Sequence, residues 1–268
     1  MSACVSAHRG GAERAAPATY EAYEDAVTTG AEYAEFDIRR ARTGELVAYH
    51  DAVIREPPAP SAARRPGTRA PGAGRAPGTR APGTSRRVAD LSYAELCAAA
   101  GYRVPLVGDV MRLLARHGVA GHLDLKETGY EAEVIALALA SFGDPGQFVA
   151  TTLEDGSVRA IKAAFPQVRT ALSLGRDLRE VAAHRRLGVR AGELAPLPRI
   201  RRCGADWVAV NYQLARLGVI RACHRAGVGV MVWTVDAAAH VDAFLGDLRV
   251  EVLITNRPRF AVGRRAAL

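Results

Sequence analysis

The chain has 268 residues, 49% of them hydrophobic and 24% charged, with a formal net charge of +8. That length suits one large core, read here as a single domain over 1–268. No apolar run is long enough to span a bilayer, and the opening MSACVSAHRG lacks the charged-then-apolar pattern of a secretory signal. Seven arginines and no acidic residue lie between Pro57 and Ala89, which leaves about +1 for the rest of the chain. The charge excess is therefore local, and no basic face for nucleic acid is expected on the folded body.

In chain order, the first strand-like run is Cys4–Ala7 and the second is Tyr33–Ile38. Ala41–Tyr49, with Thr43-Gly44 at its tip, reads as a small hairpin that presents His50 at its end. Residues 56–88 follow, with RAPGTRAPG-type repeats and half of the 14 prolines. This composition cannot bury enough apolar surface to offset ordering, so a flexible, partly polyproline-like insertion is expected. A tolerated loop expansion is the plain reading, because lengthening a loop costs little. A basic tether for nucleic acid or for transient contact with an anionic membrane surface, or a mobile lid over the site, are the alternatives. Further strand-like runs are Gly121–Leu125, Gln147–Thr151, Arg169–Leu174, Asp206–Val210, Gly229–Val235 and Glu251–Thr255. Helical segments are expected at Glu131–Phe142, Gly156–Ala164, Arg176–Leu187, Ala215–Ala226 and Ala237–Gly246.

Eight strands alternating with helices predict an α/β fold, a closed (β/α)8 TIM barrel carrying the hairpin and the disordered Arg/Pro/Gly-rich insertion. An open doubly wound sheet is the alternative, but there is no GxGxxG after the first strand and no Walker loop. Cys4, Cys97, Cys203 and Cys223 show no CxxC or metal-finger spacing, which predicts reduced thiols and a cytoplasmic protein.

In a strand, Glu35 and Asp37 project from one face, roughly 6–7 Å apart. Paired carboxylates repel unless a cation sits between them, and hard divalent cations prefer oxygen ligands. His8-Arg9-Gly10 closes the first strand and Asp124-Leu125-Lys126 the third, so in a barrel these groups share the mouth with Glu35, Asp37 and His50. A cation with two imidazoles that titrate near neutrality is suited to cleaving a phosphate ester. The bland readings are a salt bridge between Asp124 and Lys126, a turn or supporting role for Asp51, and plain barrel packing for Trp233. His122 is expected to be a buried, hydrogen-bonded core histidine, and Glu193 lies in a loop that could meet the pocket.

HRG, AEFDIR, VAYHD, LDLK, VWTV and ITNRP, in that order, resemble the glycerophosphodiester phosphodiesterase family over nearly the whole chain outside the insertion. The resemblance implies a (β/α)8 barrel that uses a divalent cation, Ca2+ or Mg2+, to hydrolyse small glycerophosphodiesters to glycerol 3-phosphate and an alcohol. It implies Glu35, Asp37 and Asp124 as metal ligands and His8 and His50 as the acid/base pair. Arg9 would contact phosphate or help order the site; from their positions in the barrel, Lys126 could offset phosphate charge and Trp233 could line the substrate pocket. The substrate's own glycerol hydroxyl would attack phosphorus, and water would then open a cyclic phosphate. Three positions depart from the family pattern. Asp124 stands where Glu is usual, Pro17-Ala18-Thr19-Tyr20 stands where PENT is usual, and Asn256, read as structural, stands where Asp is common. A phospholipase D-like or sphingomyelinase D-like hydrolase of lysophospholipids, and a non-catalytic barrel tethered to an anionic surface, are the rival readings.

Overall fold

The structure, a computed structural model, describes residues 2–55 and 85–267, and these fall into two compact units. The larger unit comprises 1–39, 46–50 and 104–268. Eight strands in it are β1 (Cys4–Ala7), β2 (Tyr33–Arg40), β6 (Ala120–Leu125), β7 (Phe148–Thr152), β8 (Arg169–Leu174), β9 (Trp207–Asn211), β10 (Gly229–Trp233) and β11 (Val252–Thr255). Each pairs in parallel with its neighbours, and β1 bonds to both β2 and β11, so the sheet closes on itself. This is the predicted (β/α)8 barrel. A short strand β3 (Leu46–Ala48) adds to β2, and the turn before it is closed by the Ala41 N–H donating to the Glu45 carbonyl.

Alternation along the strands builds two layers. In β10, Val230 and Val232 point outward into a core shared with the helices, whereas Met231 joins Val149, Ala171, Ala209, Val252 and Ile254 inside the barrel. The outer layer includes α1 (Tyr20–Ala26), α3 (Val107–Arg116), α4 (Glu131–Phe142), α5 (Asp155–Ala164), α7 (Leu197–Cys203), α10 (Ala238–Leu245) and α11 (Pro258–Arg265). In α3, Val107, Val110, Met111 and Leu114 recur at helical spacing and are all buried.

The segment expected as a helix over Arg176–Leu187 is instead irregular. It makes 3-10 turns at Leu178–Glu180 and Ala183–Arg185, and only then α6 (Arg186–Leu194). The Asp177 side chain accepts from the Arg179 N–H, a local bond that favours a turn over continued helix. The expected Ala215–Ala226 helix is broken as well. It comprises α8 (Tyr212–Leu214), a π turn Ala215–Val219 whose Gly218 has φ +98°, and α9 (Ile220–Arg225).

The smaller unit comprises 40–45 and 51–103. It holds an antiparallel pair, β4 (Val53–Arg55) with β5 (Ser85–Arg87), and the helix α2 (Tyr93–Ala100). Ser92 and Glu95 form a reciprocal capping box at the start of α2. Of the low-complexity segment expected over 56–88, residues 56–84 lie outside those described, and 85–87 form β5.

Candidate active site

The first side chain is placed by a strained turn. β1 ends at Ala7, and His8-Arg9-Gly10 turn sharply, with Arg9 at φ 52° and ψ 37° and Gly10 at φ +80°. A Cβ at Gly10 would lie 2.7 Å from the Ala22 carbonyl carbon, so the motif requires glycine there. The left-handed conformation of Arg9 is costly for a residue with a side chain, and its contacts hold it. Its backbone N–H donates to Glu35 Oε2 at 2.7 Å, and its guanidinium Nε lies 2.9 Å from Asp37 Oδ2.

Glu35 and Asp37 share the inward face of β2, both almost wholly buried, and Asp37 registers beside Asp124 of β6. One oxygen from each of Glu35, Asp37 and Asp124 lies within 4.8 Å of the other two. Lys126 Nζ reaches Asp37 Oδ1 at 2.8 Å and also pairs with Asp124 Oδ2. Thr151 donates its hydroxyl to Asp124 Oδ1 at 2.8 Å. Both Asp37 oxygens thus sit close to cationic side chains, yet neither has a well-aligned hydrogen bond. Three clustered oxygen donors with lone pairs to spare suit a hard divalent cation.

The electrostatics follow from this crowding. Burial, then the neighbouring Asp37 and Asp124, push the Glu35 carboxyl well above its usual range. Burial would do the same to Asp37, but Lys126, Arg9 and His50 outweigh it and hold that carboxyl at about 2. Burial opposes the charge on Lys126, but Asp124, Asp37 and Glu35 together raise its affinity for the proton. Burial, then the charge of Arg9, lower His8 to about 4, and burial lowers His122 to about 4. Both imidazoles are therefore neutral at pH 7.

His8 is held from behind. Its Nδ1 lies 2.7 Å from Asn256 Oδ1, and Asn256 Nδ2 donates to Asp236 Oδ2 at 2.7 Å. A carboxylate only accepts, so the amide NH2 must face Asp236 and the amide oxygen must face His8. The neutral ring then carries its proton on Nδ1 and turns a lone pair on Nε2 toward the acid cluster, 3.9 Å from Glu35 Oε2. His50 follows β3 by two residues, with its carbonyl accepting from Arg39 Nε at 2.9 Å. Trp233 at the end of β10 donates its indole N–H to the Ala209 carbonyl and packs against Gly175, where a Cβ would come within 3.1 Å of the ring.

Beyond β7 and β8 the same end of the barrel opens into a cleft of about 700 Å3, lined in part by Glu154, Arg176, Arg185 and Arg199. Glu193 forms part of its wall. Its buried carboxylate accepts from the Gly175 and Arg176 N–H groups, both at 2.8 Å, and pairs with Arg190.

The sequence-predicted residues Glu35, Asp37, Asp124, Lys126, Arg9 and His8 thus meet at the carboxyl ends of the strands. His50 lies within electrostatic reach of Asp37. The salt bridge between Lys126 and Asp124 foreseen as the bland reading is present, and Lys126 reaches Asp37 as well. Asn256, expected to be structural, hydrogen-bonds to His8. Asp236 and Thr151 went unnoticed in the sequence. Each has a partner 20 or more positions away in the sequence.

Residues 8–112 match the model of the Glycerophosphoryl diester phosphodiesterase family. No curated protein matches the chain. Among solved structures, a glycerophosphodiester phosphodiesterase from Agrobacterium tumefaciens str. C58 is 19% identical with a TM-score of 0.66, over 100% of both chains. The glycerophosphodiester phosphodiesterase of Thermotoga maritima is 15% identical with a TM-score of 0.68, over 97% of both. An Oleispira antarctica phosphodiesterase, solved in complex with the product sn-glycerol-3-phosphate, is 14% identical with a TM-score of 0.67, over 98% of this chain and 96% of that one.

Proposed function

We propose that the chain is a glycerophosphodiester phosphodiesterase, the family whose model matches residues 8–112, and that its barrel mouth hydrolyses small glycerophosphodiesters to glycerol 3-phosphate and an alcohol. The observation that carries this reading is the convergence of Glu35, Asp37 and Asp124 within 4.8 Å beside an oriented His8. Those three carboxylates would hold one divalent cation, Ca2+ or Mg2+. When bound, it would supply positive charge to the non-bridging phosphate oxygens.

The chain's own residues do the rest. His8 Nε2, left unprotonated by the Asn256 contact, takes the proton from the substrate's glycerol hydroxyl as that oxygen attacks phosphorus. His50 gives a proton to the departing alcohol oxygen, so the P–O bond breaks without releasing an alkoxide. In the second half, His50 takes a proton from water as the water attacks the cyclic phosphate, and His8 returns its proton to the glycerol oxygen. Arg9 and Lys126 contact phosphate oxygens, and Trp233 forms one wall for the substrate. Four free thiols accord with cytoplasmic action.

The test uses glycerophosphocholine with Ca2+ or Mg2+ and measures glycerol 3-phosphate release. His8→Ala and His50→Ala should each lower kcat by 10²-fold or more. Turnover that is absent, or unaffected by both substitutions, would overturn the reading. Choline release from lysophosphatidylcholine in preference to glycerophosphocholine would move the assignment to a lysophospholipid hydrolase.

A further inference from the structure

Below the acid cluster, a second set of buried polar groups crosses the barrel interior, and the hydrolytic reading does not use it. Ser6 of β1, His122 of β6 and Thr151 of β7 are each at most 3% exposed. Ser6 Oγ lies 3.2 Å from His122 Nδ1, His122 Nε2 lies 3.1 Å from Thr151 Oγ1, and Thr151 Oγ1 lies 2.8 Å from Asp124 Oδ1. Inward positions of small barrels usually carry bulky apolar side chains, and burying a hydroxyl or imidazole is unfavourable unless every group is satisfied.

The proton directions along this row can be worked out from one end. Thr151 has a single hydroxyl proton. Its possible acceptors are the Asp124 carboxylate at 2.8 Å and the Leu123 carbonyl at 3.4 Å, and the shorter, charge-assisted bond wins. The hydroxyl oxygen must then accept from His122, so the proton of that ring sits on Nε2. His122 Nδ1 is left as an acceptor, and Ser6 is the donor that fills it. Every hydrogen bond in the row therefore points toward Asp124.

We propose that Thr151, with its hydroxyl aimed by His122 and Ser6, is a positioning residue that holds Asp124 for the cation. This rests on Asp124 being a ligand, as proposed above. It also accounts for the shorter acid at this position. An aspartate reaches about one methylene less than the glutamate the family usually carries, and a hydroxyl fixed beneath Oδ1 limits the side-chain motion that would otherwise weaken a short ligand. Groups that orient metal ligands in this way are typically worth about 10–100-fold in metal affinity.

The experiment measures Ca2+ affinity by calorimetry on the full chain, wild type beside Thr151→Val and Thr151→Ser, and reads the His122 tautomer by 15N NMR at pH 7.5. Thr151→Val, close in shape but lacking the hydroxyl, should weaken Ca2+ by roughly 10-fold or more, while Thr151→Ser should stay within about 3-fold. His122 should show its proton on Nε2 in the wild type, with or without Ca2+. If wild type and Thr151→Val bind Ca2+ equally, or if His122 carries its proton on Nδ1, the proposal is overturned while the hydrolytic reading stands. If the wild type binds neither Ca2+ nor Mg2+, the metal assignment itself falls, and this proposal with it. Should Thr151→Val fail to fold, the Thr151→Ser affinity and the wild-type tautomer still decide.

Discussion

Asn256→Asp is the most instructive single substitution, because it removes one hydrogen-bond donor and adds a charge while changing almost nothing in shape. In the native protein, Asn256 Nδ2 donates to Asp236 Oδ2 at 2.7 Å. Replacing that N–H with a carboxylate oxygen brings two like-charged oxygens to the same separation. At an effective dielectric of about 20, two unit charges 2.7 Å apart repel by about 6 kcal/mol, an upper limit before relaxation. The charge-assisted hydrogen bond that is lost was itself worth about 1.5–3 kcal/mol. Relaxation and proton uptake relieve part of this, so a net destabilisation of about 2–4 kcal/mol is expected at pH 8, or roughly 5–15 °C in Tm for a domain of this size. The pH dependence has a definite sign. Repulsion raises the folded-state pKa of the introduced carboxyl above its unfolded value of about 3.9. The penalty is thus complete above the raised value and fades as pH falls, because a protonated carboxyl can donate to Asp236 as the amide did. The contact with His8 is retained, since a carboxylate oxygen accepts from Nδ1–H as the amide oxygen does. Thermal unfolding from pH 4.5 to 8 is the assay. An unchanged Tm at pH 8, or a deficit that grows on acidification, would refute the argument that Asp236 fixes the amide.

Two further outcomes follow from other parts of the barrel. Gly10→Ala introduces a Cβ 2.7 Å from the Ala22 carbonyl carbon at a φ of +80°, so it should cost about 2 kcal/mol or more and lower turnover by displacing His8 and Arg9; denaturant midpoints and kcat check both. Glu32 accepts from the Val5 N–H and pairs with Arg265, and although burial opposes it, these partners lower its pKa. A depressed folded-state pKa gives stability that is complete above the unfolded value of about 4.3 and lost as pH falls through the folded one. Discounted for solvent screening of a part-exposed pair, Glu32→Gln should cost about 0.5 kcal/mol at pH 7 and less at pH 3, as read from urea titrations at the two pH values.

Much of the barrel was legible because its strands announce themselves in short β-branched runs. The expected Cys4–Ala7 and Arg169–Leu174 coincide with β1 and β8, and most other strands differ by one or two residues at an end. The period of two placed Glu35 and Asp37 on one face, and that is where they lie. The Arg176–Leu187 segment misled because its composition suits a helix while its contacts do not. Gly175 leaves β8 at φ +120°, Arg176 is drawn to Glu154 and the Leu153 carbonyl, and Asp177 closes a turn. The supporting residues of the site were illegible for a different reason. Ser6, Thr151 and Asp236 belong to no motif, and although Asn256 stood out in ITNRP, the roles of all four exist only through partners brought close by the closed sheet. The hydrogen bond between His8 and Asn256 spans 248 positions.

The pairing of β1 with both β2 and β11 has a consequence for biosynthesis. His8 leaves the ribosome 248 residues ahead of the amide that orients it, which follows β11. Until β11 and Asn256 have emerged, the His8 imidazole lacks the partner that fixes its orientation. Catalytic competence should therefore appear abruptly, when β11 docks on β1 and the ring shuts, and turnover can serve as a reporter of that closure.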